Sequence, residues 1–179
     1  MSQHKINEIT VELREGDISQ QPDIAAVVNA ANAELRIGGG VAGAIHRAAG
    51  PGLEQECRPL APIKPGEAVI TGAHNLPNQY VIHCLGPIYG VNHPEDQLLA
   101  DCYRHALQLA EKHAIPSIAF PSISTGAFGY PLEEAIPIAI DTILEKIPKL
   151  KSVKQVVMVL YSANDRQAYE TYLNQKIKT

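Results

Sequence analysis

Two glycine-rich segments of this chain have the residue types to hold an anion without a cation. The first is Gly38-Gly39-Gly40, directly before a run that reads as a helix, VAGAIHRAAG at 41–50. Glycine lets a backbone approach a bound group closely. The first N–H groups of a helix lack helical partners and sit at the positive end of its dipole. Together these make a phosphate site. Gly38-x-Gly40-x-x-Gly43 also fits a dinucleotide fingerprint formally. Its context does not fit, because residues 30–37 separate the preceding strand from Gly38, and 58–67 (RPLAPIKPGE) has three prolines in place of a second strand with an acidic tip. A helix-start loop without a ligand is the alternative reading.

The second segment is SISTGAFGYP, 122–131. Ser124, Thr125, Gly126 and Gly129 offer hydroxyls and amides, and the segment has no Lys or Arg. A phosphate here would rest on backbone N–H groups arranged as a nest. Phe128 is one of only two Phe in the chain. Its ring in a flexible loop suggests a lid over a ligand; the alternative is a ring folded back onto the core. Asp17, in GDIS at 16–19, could cap a turn or accept a hydrogen bond from an exocyclic amine. Tyr161, at the end of an apolar run, could stack on a base or pack under the last helix.

Other chemistries find no pattern. HExxH, GxxxxGK[ST] and GxSxG are absent. The histidines at 4, 46, 74, 83, 93, 105 and 113 have no metal-ligand spacing, so no metal site is expected. His83 reads as a satisfied core or strand-end residue, and His105 and His113 as the solvated side of a helix. A Ser122 or Ser124 nucleophile with a histidine base is conceivable, but nothing in the sequence brings them together.

The elements that must carry these loops alternate. Strands are expected at 5–14, 24–30, 67–71, 79–85, 117–123 and 153–161. Helices are expected at 41–50, 52–58, 95–113, 132–146 and 164–176. Leu98, Leu99, Cys102, Ala106, Leu109 and Ala110 make one apolar stripe on the third helix. This order predicts an α/β fold with a mostly parallel or mixed sheet covered on both faces. Ligands in such sheets bind outside the carboxyl ends of the strands. Both glycine loops and Tyr161 fall there.

Composition narrows the field. At 179 residues without an internal linker, the chain is read as a single domain, 1–179. Its 45% hydrophobic and 19% charged residues exclude a disordered chain. Aromatics are 5%, so the core must be aliphatic. A net charge of −4 argues against nucleic acid bound through a basic surface, yet leaves an amide-held anion possible. Cys57, Cys84 and Cys102 are odd in number and widely spaced, which suits free thiols in a reducing cytoplasm. No apolar leader opens the sequence, and VVMVL at 156–160 is too short to span a membrane. A cytoplasmic protein is expected.

Taken together, GDIS, VVNAAN, GGGVAGAIHRAAGP, GEAVIT, YVIHCLGPIYG, LLADCYRHAL, IAFPSISTGAFGYP and VLYSANDRQAYE resemble a macrodomain, and most of all the MacroD-type ADP-ribosyl hydrolases. The pieces run in family order from about Gly16 to Tyr172. The resemblance implies a three-layer α/β/α domain with a mixed central sheet and an ADP-ribose cleft. It implies that Asp17 holds the adenine amino group, the Ile18 backbone the ring nitrogen, and Tyr161 the adenine face. Gly39, Gly40 and Val41 would line the distal ribose and diphosphate. Ser124, Thr125, Gly126, Ala127 and Phe128 would wrap the diphosphate. Asn32, with Gly40 and Phe128 beside it, would bind the distal ribose and orient an attacking water.

MacroD-type members usually read GGGVDGAIH, whereas this chain has Ala42 at the Asp position. Viral-type macrodomains resemble it there, and in them the Asn of NAAN and the substrate's own phosphate are thought to hold the water. Two functions follow from the resemblance. One is hydrolysis of mono-ADP-ribosyl esters on acidic side chains of a protein, or of O-acetyl-ADP-ribose. The other is a non-catalytic ADP-ribose reader. Neither implies a cofactor.

Overall fold

The computed structural model describes residues 2–178. Seven strands form one sheet: β1 (Ser2–Ile6), β2 (Ile9–Glu15), β3 (Ala26–Ala30), β4 (Ala68–Gly72), β5 (Tyr80–Cys84), β6 (Ser117–Phe120) and β7 (Gln155–Leu160). Five α-helices alternate with them: α1 (Gly40–Ala49), α2 (Pro51–Cys57), α3 (Glu95–Lys112), α4 (Leu132–Lys146) and α5 (Ala163–Lys178). The sheet order is β1-β2-β7-β6-β3-β5-β4. The five central strands run parallel, while β1 and β4 pair antiparallel at the edges.

The helices lie on both faces. One apolar cluster joins α3, α4 and α5 to the sheet through Leu99, Ala106, Ile136, Ile140, Tyr169 and Leu173 against Val11, Val28, Phe120 and Met158. The other joins α1 and α2 through Ile45, Ala49, Leu53 and Cys57 against Val27, Val81, Ala119 and Val157. This is the expected three-layer α/β/α arrangement with a mixed sheet. Val, Ile and Ala dominate the inner strands because both faces of a central parallel strand are covered.

One expectation needs correction. The period-two run at 5–14 is not a single strand but a hairpin, β1 and β2, in register Ile6↔Ile9. Asn7 and Glu8 form the turn at φ 51° and 67°. A two-residue turn with both residues left-handed matches the twist of the flanking strands. The strand at 117–123 also stops early, at Phe120, because Pro121 has no N–H to continue the ladder. On α3, His105 is half-buried rather than solvated, and its ring N–H donates to the Gly66 carbonyl at 2.7 Å.

Candidate functional site

The carboxyl ends of β2, β3, β5, β6 and β7 open onto one cavity of about 380 Å³. Its wall takes Gly16 and Ile18 after β2, Ala30 to Asn32 at the end of β3, and Gly38 to Ala42 at the start of α1. Gly86 follows β5, residues 121–128 follow β6, and Val159 to Tyr161 with Asp165 close the far side. No Lys, Arg or His lines it.

The first glycine loop meets α1 head-on. Gly39 is the N-cap, and no side chain caps this helix end or places a carboxylate in its first turn. The N–H groups of Gly40, Val41 and Ala42 therefore have no acceptor within the helix. Gly40 sits at φ +54°, where a side chain would be strained. Gly43 serves a different need, because a Cβ there would lie 2.4 Å from the Gly38 carbonyl oxygen. The loop can pack on the helix only over a glycine.

Asn32 closes the loop from the other side. Its Oδ1 accepts the Arg36 N–H at 3.0 Å, and its Nδ2 donates to the Arg36 carbonyl at 2.9 Å. A carboxamide has two lone pairs and two N–H donors. One of each stays available on a residue that lines the cavity.

The second loop is held from behind by buried hydroxyls. Ser122 Oγ and Tyr169 Oη are 2.7 Å apart. Tyr103 Oη accepts the Ile123 N–H at 3.2 Å. Thr125 Oγ1 donates to the Ser122 carbonyl at 3.0 Å, and Ser124 Oγ donates to the Pro87 carbonyl at 2.8 Å. Ser124 is left-handed at φ 68°, a conformation its neighbours must enforce. The amides of Ser124, Gly126, Ala127 and Phe128 take no acceptor among the described residues. Phe128 combines both uses foreseen for it: its half-buried ring lines the cavity and packs against the α1–α2 core cluster.

Beneath the wall lies a buried polar cluster. Asn29 Nδ2 donates to His83 Nδ1 at 3.1 Å. The Thr71 hydroxyl donates to the Gly72 carbonyl, so it accepts from His83 Nε2–H at 3.0 Å. This fixes the tautomer and keeps the ring neutral. Burial, reinforced by His46, pushes the His83 pKa down to about 3. His46, whose ring centroid is 6.4 Å away, is itself pushed down by burial. The three cysteines are buried free thiols, and burial raises Cys57 to about 11 and Cys102 to about 12, so neither is a nucleophile at neutral pH.

The cavity thus brings together Ile18, Asn32, Gly39, Gly40, Val41, Ser124, Thr125, Gly126, Ala127, Phe128 and Tyr161. Tyr161 stands at the rim, 62% exposed. Burial of part of its ring and the nearby Asp17 carboxylate push its pKa up, against Arg47. Asp17 itself is not part of the wall. Its Oδ1 accepts both the N–H of Ser19 at 2.9 Å and the Ser19 hydroxyl at 2.7 Å, the turn-capping use.

Sequence reasoning missed Asp165, the one carboxylate on the wall. The signal was available in Ser162-x-x-Asp165, a helix-start pattern directly after an apolar strand. Among the described residues no cluster of His, Cys, Asp or Glu could hold a metal, and no helix is long and apolar enough to cross a membrane.

Residues 28–139 match the Macro domain family. A macro domain-containing protein of Chlorobaculum tepidum is 49% identical over 151 residues, 84% of this chain and 88% of its own. A Citrobacter koseri protein named O-acetyl-ADP-ribose deacetylase is 44% identical over 171 residues, 93% of this chain and 96% of its own. A mutant of the Oceanobacillus iheyensis macrodomain, solved with ADPR, superposes at a TM-score of 0.95 with 39% identity, covering 99% of both chains. Sequence and fold agree along nearly the whole length, and the chain belongs to the Macro domain family.

Proposed function

We propose that this protein binds ADP-ribose across the carboxyl ends of its parallel strands and hydrolyses esters carried on the distal ribose. The substrates are O-acetyl-ADP-ribose and mono-ADP-ribosyl esters of acidic protein side chains. The observation that carries the reading is the pair of cation-free loops, Gly38–Ala42 and Ser124–Phe128, lining one cavity with unpaired amides. In a chain of net charge −4, a diphosphate needs such amides. The deacetylase name of the Citrobacter relative and the ADPR-bound Oceanobacillus structure support the same ligand.

In this reading Asp17 and Ile18 sit near the base, and Tyr161 covers its face. Gly39, Gly40 and Val41 face Ser124, Thr125, Gly126 and Ala127 across the diphosphate. Gly40 and Phe128 frame the distal ribose. Asn32 uses its spare lone pair to hold a water. The water oxygen bonds to the acyl carbon, the bond from that carbon to the ribose oxygen breaks, and the ribose oxygen takes up a proton. Preorganised N–H groups stabilise the developing charge without having to reorient.

The test is a multiple-turnover time course on O-acetyl-ADP-ribose and on a protein ADP-ribosylated at Glu or Asp. Release of more than one equivalent of ADP-ribose, greatly slowed by Asn32→Ala, is expected. Ala42 favours a second reading, because this buried wall residue puts no carboxylate in the first turn of α1. Binding without release in the same assay would make the protein an ADP-ribose reader. Ala42→Asp would then be expected to restore turnover.

A further inference from the structure

The loop after β5 leaves an apolar patch beside the cavity. Of the seven large apolar side chains exposed among the described residues, Ile88, Tyr89 and Val91 fall within four consecutive positions, and Val91 is 63% exposed. Single apolar side chains on a surface are ordinary, whereas a cluster marks a contact surface. The loop is also held in place. The Ile88 N–H donates to Asn92 Oδ1 at 2.8 Å, the Gly90 N–H to Glu95 Oε2 at 3.0 Å, and the Tyr89 hydroxyl to Glu134 Oε1 at 3.1 Å. A surface fixed in advance loses little entropy when it is covered.

The patch continues the cavity wall. Gly86, two residues before Ile88, lines the cavity. The Tyr89 N–H donates to the carbonyl of the wall residue Phe128 at 2.9 Å, and Ser124 Oγ ties the wall to the Pro87 carbonyl at 2.8 Å. A group projecting from the cavity beside Phe128 emerges against this loop.

Charge adds a second constraint. The first turns of α3 and α4 bring Glu95, Asp96 and Glu134 around the patch, and residues 86–97 and 121–136 contain no Lys or Arg. His93 Nδ1 is engaged by Glu95 at 2.9 Å. Tyr130, whose ring meets Tyr89 edge-on at 5.0 Å, registers the same field: burial and then Asp96, Glu134 and Glu95 push its phenol up to about 12. A nucleic acid would bring phosphates to these carboxylates, whereas a cationic side chain would be attracted.

We infer that the Ile88–Val91 loop is the docking surface for a polypeptide that carries the ADP-ribosyl group, taking an apolar side chain next to the modified acid and favouring a Lys or Arg beside it. The inference rests on the ADP-ribose reading above, in which Phe128 frames the distal ribose and the linked chain leaves the cavity there. O-acetyl-ADP-ribose has no chain to lay on the patch. The loop therefore separates protein substrates from the free metabolite.

The experiment is calorimetric titration with free ADP-ribose and with three short peptides. Each peptide carries ADP-ribose through the side-chain amide of a Gln, so that no ester is present to hydrolyse. The residues flanking that Gln are Leu and Lys, Leu and Glu, or Gly and Ser. Wild type is expected to bind the Leu–Lys peptide about tenfold more tightly than the Gly–Ser peptide, as burial of most of one Leu side chain implies. The Leu–Glu peptide is expected to fall between them, and added salt should narrow its gap from Leu–Lys. The double variant Ile88→Ser, Val91→Ser is expected to bring the Leu–Lys to Gly–Ser ratio near one and to keep the affinity for free ADP-ribose. Thermal melting confirms that the variant is folded. Peptides bound alike by wild type overturn the inference, and so does a ratio that survives both substitutions. Tighter binding of Leu–Glu than of Leu–Lys overturns it, as does an equal loss of free ADP-ribose and peptide in the variant. A wild-type dimer in sedimentation that the variant loses gives the patch to a second copy of the chain and overturns it too. Wild type that binds free ADP-ribose and no peptide overturns it and leaves ADP-ribose binding standing. Wild type that binds none of the four probes sinks the ADP-ribose reading and this inference with it.

Discussion

Asn32 grips the backbone of Arg36 at both its N–H and its carbonyl, at 3.0 and 2.9 Å. The residue offered as the water holder is therefore also the clasp of the loop that carries the glycines. Asn32→Ala is expected to lower the unfolding free energy by about 1 kcal/mol, the net worth of exposed hydrogen bonds of this kind. Turnover should fall much further than stability does. Urea denaturation beside the time course separates the two effects. An unchanged unfolding free energy would show that the clasp contributes nothing.

The phenol of Tyr169 predicts a second outcome. It is fully buried, and its hydroxyl meets Ser122 at the back of the second loop. Tyr169→Phe keeps the ring and strands the Ser122 hydroxyl. A loss of about 1–2 kcal/mol in stability is expected. ADP-ribose affinity should also fall several-fold, because the loop amides lose their support. Calorimetry on the folded variant checks this; wild-type affinity would mean the loop is held adequately by Tyr103 and Pro87.

Gly39, the N-cap of α1, and Gly43, inside it, should respond unequally to alanine. A Cβ on Gly43 would meet the Gly38 carbonyl oxygen at 2.4 Å and Arg47 Nη1 at 2.7 Å. A Cβ on Gly39 meets nothing within 4 Å. Gly43→Ala is expected to destabilise the protein by roughly 1–3 kcal/mol, the usual cost of overpacking. Gly39→Ala, at the N-cap of α1, should cost less, about 0.5–1 kcal/mol. Thermal melts of the pair decide it, and equal melting points would contradict the packing.

Acid should weaken the fold through its buried histidines. His83 is held near 3 and His46 is pushed down, both by burial, so the folded state keeps them neutral. In the unfolded chain both take up protons near the ordinary value of 6.5. The stability they confer is complete above that value and is lost as pH falls toward the folded pKa. Between pH 6.5 and 5 His83 contributes a slope of up to about 1.4 kcal/mol per pH unit, and His46 acts in the same direction. Chemical denaturation across that interval should show the loss, and His83→Gln should flatten it. A level profile would mean that the ring is solvated.

The legible parts of this molecule were those where one residue type meets one backbone demand. Gly40 was readable because a positive φ at a helix start favours glycine. The loop 122–131 was readable as a strand-to-helix loop, because serines and glycines directly follow an apolar strand, and it lies on the cavity wall. The β1–β2 hairpin was hidden because Asn7 and Glu8 interrupt the alternation without a glycine, leaving Ile6 and Ile9 looking like one run. Asp165 was hidden for another reason. An acid in the first turn of a helix is ordinary in sequence. Only the packing of α5 against β2 and β7 turns this one into a wall residue.

The strand order also governs when the protein can first take shape. β7 lies between β2 and β6, so Thr10 has Lys5 on one side and finds its other ladder partner only in Gln155. While a ribosome is still making the chain, the β1–β2 hairpin has no neighbour to join. A two-stranded hairpin alone is barely stable in water. The nascent chain must carry its first strands unsheltered until residues 155–160 emerge, and a stalled product ending before them would have a divided sheet and an open pocket.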